Sequence, residues 1–196
     1  MALESSQNDT LSQLLPFNEH RFDACLTYLA REHGKSLTQF DMVKLHVMID
    51  VFHVLEHGTP VIGGDLRPWK HGAVVDRAYN RIMQWWYRLR ETGEQPEQFH
   101  LEPYINKQVT FSPNRESNYD DFSASEIEAM ERAWDEIMTK DWTASELYFH
   151  DPKNFMGRAW ANADAENRAI DWNEIINAYD AQYDEDHTHI KTLIRV

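Results

Sequence analysis

Apolar side chains recur every three or four positions through much of this 196-residue chain. That is the spacing of helices with one face turned to a core. Phe22, Cys25, Leu26 and Leu29 predict a first helix over 19–33, with Gly34 behind it. The second is marked at both ends. Thr38 and Asp41 form a T-x-x-D start, and Gly58 followed by Pro60 stops the helix. Residues 59–72, TPVIGGDLRPWKHG, hold three glycines and two prolines and predict a turn plus a short strand. Val75, Ala78, Ile82, Trp85, Trp86 and Leu89 then predict a helix over 74–91, ended by Gly93. The stretch 94–122 is the longest irregular part. A strand within Tyr104–Phe111, carrying Ile105, Val109 and Thr110, is expected to pair with one near 61–70. Ser123 and Glu126 make a capping box ahead of Ile127, Met130, Trp134 and Ile137, and Thr143 and Glu146 make another ahead of Leu147 and His150. Asp151-Pro152 breaks the chain, a short helix follows around Phe155–Trp160, and Asp171 and Glu174 open a last one with Ile175, Ile176 and Tyr179. The expected fold is mainly α: a compact bundle of about six helices with a small antiparallel β insertion. A mobile N-terminal segment (1–16), a single domain (17–186) and a C-terminal tail (187–196) complete the expected layout. No internal repeat or low-complexity tract is visible.

The second helix carries the most information. Phe40, Val43, Leu45, Val47, Met48, Val51, Phe52, Val54 and Leu55 cover well over half of its circumference, so it is expected to be central. The remaining arc collects His46, Asp50, His53 and His57. Three imidazoles and a carboxylate in one stripe are candidate ligands for a divalent metal, since those donors suit zinc. A hydrogen-bonded structural stripe and a pH-sensitive contact are the competing readings. His53-Val54-Leu55-Glu56-His57 also spells H-x-x-E-H, the inverted zinc-peptidase string, in which both His would be ligands and Glu56 the general base of a zinc-dependent hydrolase. Lys44 falls inside the apolar arc, where it must reach outward or find a partner; Asp65 is the expected one.

Composition narrows the class. Apolar residues make up 42% and charged residues 27%, within the range of globular proteins. The first sixteen residues lack a basic head and an apolar run, which argues against a signal peptide. One cysteine, Cys25, forms no internal disulfide and reads as packing on an apolar helical face, so a cytoplasmic protein is expected. The net charge of -14 is lopsided: residues 1–115 hold 12 basic and 14 acidic side chains, whereas 116–186 hold 5 and 19. Such a surface repels nucleic acid; solubility is one reading of it, and faster encounter with a basic protein partner is the other. No phosphate loop and no G-x-S-x-G occurs, and neither a cofactor nor a membrane contact is expected. Of the adjacent Trp85 and Trp86, one ring is expected to face inward and the other the surface.

Taken together, Val43-Lys44-Leu45, Asp50-x-x-His53, Gly58-Thr59-Pro60-Val61-Ile62-Gly63-Gly64-Asp65, His71-Gly72-Ala73-Val74 and Tyr79 resemble the Panacea domain, the SocA-like antitoxin family found also in phage and mobile elements. Ser123–Trp142, Ser145-Glu146-Leu147 and His150 resemble that family's later block, so the likeness covers residues 20–162. The matching motif positions are Lys44, Asp50, His53, Gly58, Pro60, Gly64, Asp65, Gly72, Tyr79 and His150. Ala73 stands where the family usually has proline, one extra glycine widens the turn before Asp65, and Asp151-Pro152-Lys153 replaces a Pro-Trp step. The resemblance implies an antitoxin, not an enzyme, that binds and blocks a cognate protein toxin, a basic or RNA-targeting one. A proteolytic adaptor that delivers a toxin to a Clp-type protease is the alternative it implies. It names no toxin or interface, and a homo-oligomer stays open.

Overall fold

A computed structural model describes residues 16–96, 99–103, 109–114 and 121–194. Eight helices and five short strands lie within those residues. They run α1 (Glu19–Glu32), β1 (Leu37–Thr38), α2 (Gln39–His57), β2 (Leu66–Trp69), β3 (Gly72–Val75), α3 (Asp76–Thr92), β4 (Phe99–Pro103), β5 (Val109–Pro113), α4 (Ala124–Met138), α5 (Trp142–Tyr148), α6 (Phe155–Glu166), α7 (Trp172–Tyr183) and α8 (Thr188–Ile194). The mainly α class with a β insertion is observed, with a helix count slightly above the six or so expected.

The hub is α2. Every residue from Met42 to Leu55 is buried, including Lys44, His46, Asp50 and His53. Its caps follow the sequence: the Thr38 side chain accepts from Asp41 N, Asp41 answers the Thr38 backbone, and Gly58 closes the helix with its N–H on the Val54 carbonyl. Packed around α2 are α4 along its length, β3, β1, α3 and α8. Ser123 and Glu126 form the expected capping box of α4, and Arg132 on that helix reaches back to Glu56 at 2.8 Å while its guanidinium covers the Phe52 ring at 4.0 Å. On the other side, Arg81 of α3 forks onto Asp23 of α1 and reaches Glu19.

The strands correct the expected pairing. β2 and β3 form a hairpin with each other, Leu66 opposite Val75 and Trp69 opposite Gly72, across the two residues Lys70 and His71. The nearest chain neighbour wins because so short a loop costs little closure entropy. β5 instead lies between β4 and β1 in an antiparallel sheet, with Leu101 and Leu37 both opposite Phe111. The Tyr104-Ile105 end of the predicted strand lies outside the described residues.

Further differences have local causes. α3 begins at Asp76, two residues late, because Gly72–Val75 are held in the hairpin. Asp141, not Thr143, caps α5: its carboxylate accepts from Ala144 N at 2.8 Å. Trp85 and Trp86 are both buried, since Arg90 and Tyr87 cover the Trp86 ring at 4.6 and 4.9 Å. Segment 187–196, read as a tail, holds α8, whose Ile190 and Ile194 are buried and whose Lys191 donates to Asp180 at 2.8 Å. Most of the predicted mobile segment 1–16 lies outside the described residues.

Candidate functional site

The chain between α2 and β2 is a glycine-rich turn with no repeating hydrogen-bond pattern, and buried side chains of α2 hold it. Asp50 accepts from Ile62 N at 2.7 Å and Gly63 N at 2.8 Å, one oxygen to each amide. His46 places Nε2 3.1 Å from the Gly63 carbonyl and 3.2 Å from Asp50 Oδ2. Both neighbours are acceptors, so Nε2 carries the proton. One turn on, His53 donates from Nδ1 to the Thr59 carbonyl at 2.6 Å and turns Nε2 toward Ser125 Oγ at 3.4 Å. At Gly64, φ is +108° and a Cβ would lie 2.6 Å from Val75 Cγ1, so the turn closes directly onto β3.

The second half of the arrangement is the hairpin tip. Lys44 leaves α2 and donates from Nζ to the Ala73 carbonyl at 2.8 Å, with the Phe149 ring 4.4 Å away. Its partner is that carbonyl and not Asp65, which is exposed. Burial pushes the Lys44 ammonium down to about 7, against a weaker opposing pull from Glu146. Gly72 has φ +95°, and a Cβ there would meet Phe149 Cβ at 2.4 Å and Lys44 Nζ at 2.9 Å. Only a residue without a side chain fits. From the acidic half of the chain, Trp160 donates to the Trp69 carbonyl at 3.0 Å, His71 Nδ1 meets Glu146 at 2.6 Å, and His150 packs edge-on to Trp160. Tyr79 stands against the Trp69 ring, centroids 4.8 Å apart.

The four candidate metal residues are thus placed in two environments. His46 and Asp50 are buried on the turn, whereas His57 is exposed at the end of α2. Within the H-x-x-E-H string, Glu56 pairs with Arg132 and His53 points to Thr59 and Ser125. No group of three or more His, Cys, Asp or Glu side chains among the described residues is placed to hold a metal ion. Cys25 is buried in α1, and burial raises its thiol out of the nucleophilic range. Nor is any helix among them long and apolar enough to cross a membrane. What this arrangement can do is fix the shape of the turn and of the hairpin tip.

Residues 42–154 match the family described as antitoxin SocA-like, Panacea domain. The chain belongs to that family. No curated protein and no solved structure matches it. The match begins four residues after the α2 cap and ends just before α6, so it takes in the turn, the hairpin and α5. Of the motif positions, Lys44, Asp50, His53, Gly58, Pro60 and Gly64 cluster on α2 and the turn, and Gly72, Tyr79 and His150 gather at the hairpin tip. Sequence reasoning passed over Trp69, Phe149 and Trp160, which complete the tip. They come from three elements with no common spacing, and the only signal was Trp69 standing three residues before Gly72 in a glycine-rich string.

Proposed function

We propose that this protein is an antitoxin that neutralises a cognate protein toxin by direct binding, with no chemistry of its own and no cofactor. The observation that carries the reading is membership of the antitoxin family, over a match that includes α2, the turn and the hairpin. In this proposal Lys44, Asp50, His53, Gly58, Pro60, Gly64, Asp65, Gly72, Tyr79 and His150 are scaffold residues that hold a binding surface in shape. Two features support it. Of the polar motif side chains, Lys44, Asp50 and His53 are hydrogen-bonded to backbone of the turn and hairpin, as groups that fix conformation are. And the acidic segment 116–186, with 19 carboxylates against 5 basic side chains, suits a basic partner, such as a toxin that acts on RNA.

The test is expression of the adjacent open reading frame with and without this protein. Growth arrest by the neighbour alone, relieved when both are made, is the expected result. A neighbour that is harmless alone, or that stays toxic in this protein's presence, would refute the proposal.

A further inference from the structure

We propose that a cavity between α1, α3 and β4 is a binding site for a small carboxylate on an apolar stem, held by Arg88, Gln84 and the indole N–H of Trp85. The site goes beyond the antitoxin reading: none of the motif residues lines it.

The cavity has a volume of about 220 Å³. Sites for drug-sized ligands begin at about 300 Å³, so this one has room for a group no bulkier than a large side chain. Arg81, Gln84, Trp85 and Arg88 line it together because they share one face of α3. Trp85, Phe99 and Pro96 make its apolar wall. The Trp85 ring is fixed: Phe22 stacks on it with centroids 6.0 Å apart, Phe99 meets it edge-on at 4.5 Å, and the Arg81 guanidinium lies 5.3 Å from its centroid. A wall already held in place loses little conformational freedom when a ligand arrives.

The polar groups decide what the ligand is. Arg81 donates from Nε to Asp23 Oδ1 at 2.8 Å, from Nη2 to Asp23 Oδ2, and from Nη1 to Glu19 at 2.5 Å. Both oxygens of Asp23 are thereby engaged, and the lining has no free carboxylate to receive a cation. Arg88 and Gln84 are exposed, and their side chains have no partner among the described residues. Trp85 Nε1 has no acceptor among them either, yet it is not one of the buried atoms closed off from solvent. The cavity thus offers a guanidinium, an amide and an indole N–H against one free acceptor, the Gln84 oxygen. A carboxylate accepts from all three, and its two oxygens match the guanidinium fork. Charge sets the limit. Asp23 and Glu19 together balance Arg81 and Arg88, with Glu19 57% exposed and screened by water. One free guanidinium in neutral surroundings suits a monoanion and not a phosphate dianion.

The experiment adds 3-phenylpropionate to the full-length, nitrogen-15-labelled protein and follows the tryptophan indole N–H signals by NMR. Trp85→Phe assigns the Trp85 signal by its loss. A saturating shift of that signal with a Kd of about 1 mM or below is the expected result. Arg88→Gln changes an exposed side chain, circular dichroism confirms its fold, and it is expected to weaken binding about tenfold. 3-Phenylpropanamide and 3-phenylpropylamine keep the ring and remove or reverse the charge; each is expected to bind at least about tenfold more weakly. A pentapeptide ending in phenylalanine, as free acid and as amide, separates the two sources of such a carboxylate. Tighter binding of the peptide acid than of phenylpropionate points to the C-terminus of a protein chain, and binding of phenylpropionate alone points to a free small acid. No Trp85 shift up to ~10 mM phenylpropionate overturns the site. So does equal binding of the amine, a matching response to inorganic phosphate, or wild-type affinity in folded Arg88→Gln. Toxin neutralisation is read separately, so either proposal can fail while the other stands.

Discussion

Replacing Asp50 by Asn tests whether the turn depends on a buried carboxylate. The change keeps the shape and removes the charge. Asp50 is 1% exposed and accepts from Ile62 N, Gly63 N and His46 Nε2. An Asn oxygen can serve one of the two amides, and its NH2 then faces the remaining donors. At least two charge-assisted bonds are lost, each worth about 1.5–3 kcal/mol. Relief of the desolvation of a buried anion returns part of that, leaving a net loss of about 3 kcal/mol. Against a total stability of about 5–15 kcal/mol this is a large fraction. In a chain of this size it lowers Tm by about 6–12 °C. Urea unfolding followed by tryptophan fluorescence measures the loss, and amide hydrogen exchange locates it. Exchange at Ile62 and Gly63 should accelerate far more than at the centre of α4. A variant within 1 kcal/mol of wild type, with both amides still protected, would show that the turn holds itself and that the clamp reasoning is wrong.

Two further outcomes follow from the hairpin tip. Burial lowers the Lys44 pKa to about 7 in the folded state, below its ordinary 10.5, so the unfolded chain binds more protons between those values and wild-type stability rises with pH there. Relative to Lys44→Met, wild type should gain up to about 1.4 kcal/mol per pH unit between pH 7 and 9.5 in urea titrations, and a pH-independent difference would refute the buried-ammonium account. Gly72→Ala combines an unfavourable φ with a Cβ 2.4 Å from Phe149 Cβ and is expected to cost about 3 kcal/mol or more. Gly34→Ala, at φ +58° with nothing within 4 Å, should cost only about 1 kcal/mol in the same melt, and equal losses would sink the steric argument.

Much of the helical frame was legible because its signals are local. The Thr38–Asp41 and Ser123–Glu126 boxes and the Gly58 stop all lie within one helical turn of what they cap, so sequence spacing and spatial spacing coincide. Strand partners are different. Val109–Phe111 reads as a strand, but nothing in its alternation distinguishes β4 from β2 as the neighbour. Lys44 shows the same division. The helical wheel put a cation in an apolar arc, whereas its partner is a carbonyl 29 residues away that carries no side-chain signature. α8 was missed for lack of length: Ile190, Leu193 and Ile194 have helical spacing, but seven residues give only two turns to read.

The chemistry of the motif makes sense once the backbone groups of residues 59–75 are followed one at a time. A segment with this much glycine and proline is neither helix nor sheet for about half of its length, yet residues 61–63 and 72–75 lie in the interior, where every unpaired N–H or C=O is costly. Ile62 N and Gly63 N go to Asp50, the Gly63 carbonyl to His46 and the Thr59 carbonyl to His53. The Ile62 carbonyl accepts from Asn18 N, the Ala73 carbonyl from Lys44 and the Trp69 carbonyl from Trp160. An acid for amides, and imidazole, ammonium and indole donors for carbonyls, is the side-chain set such a segment requires. Of the residues that resemble a metal cluster on a helical wheel, His46, Asp50 and His53 are, in three dimensions, hydrogen-bond partners of an irregular turn.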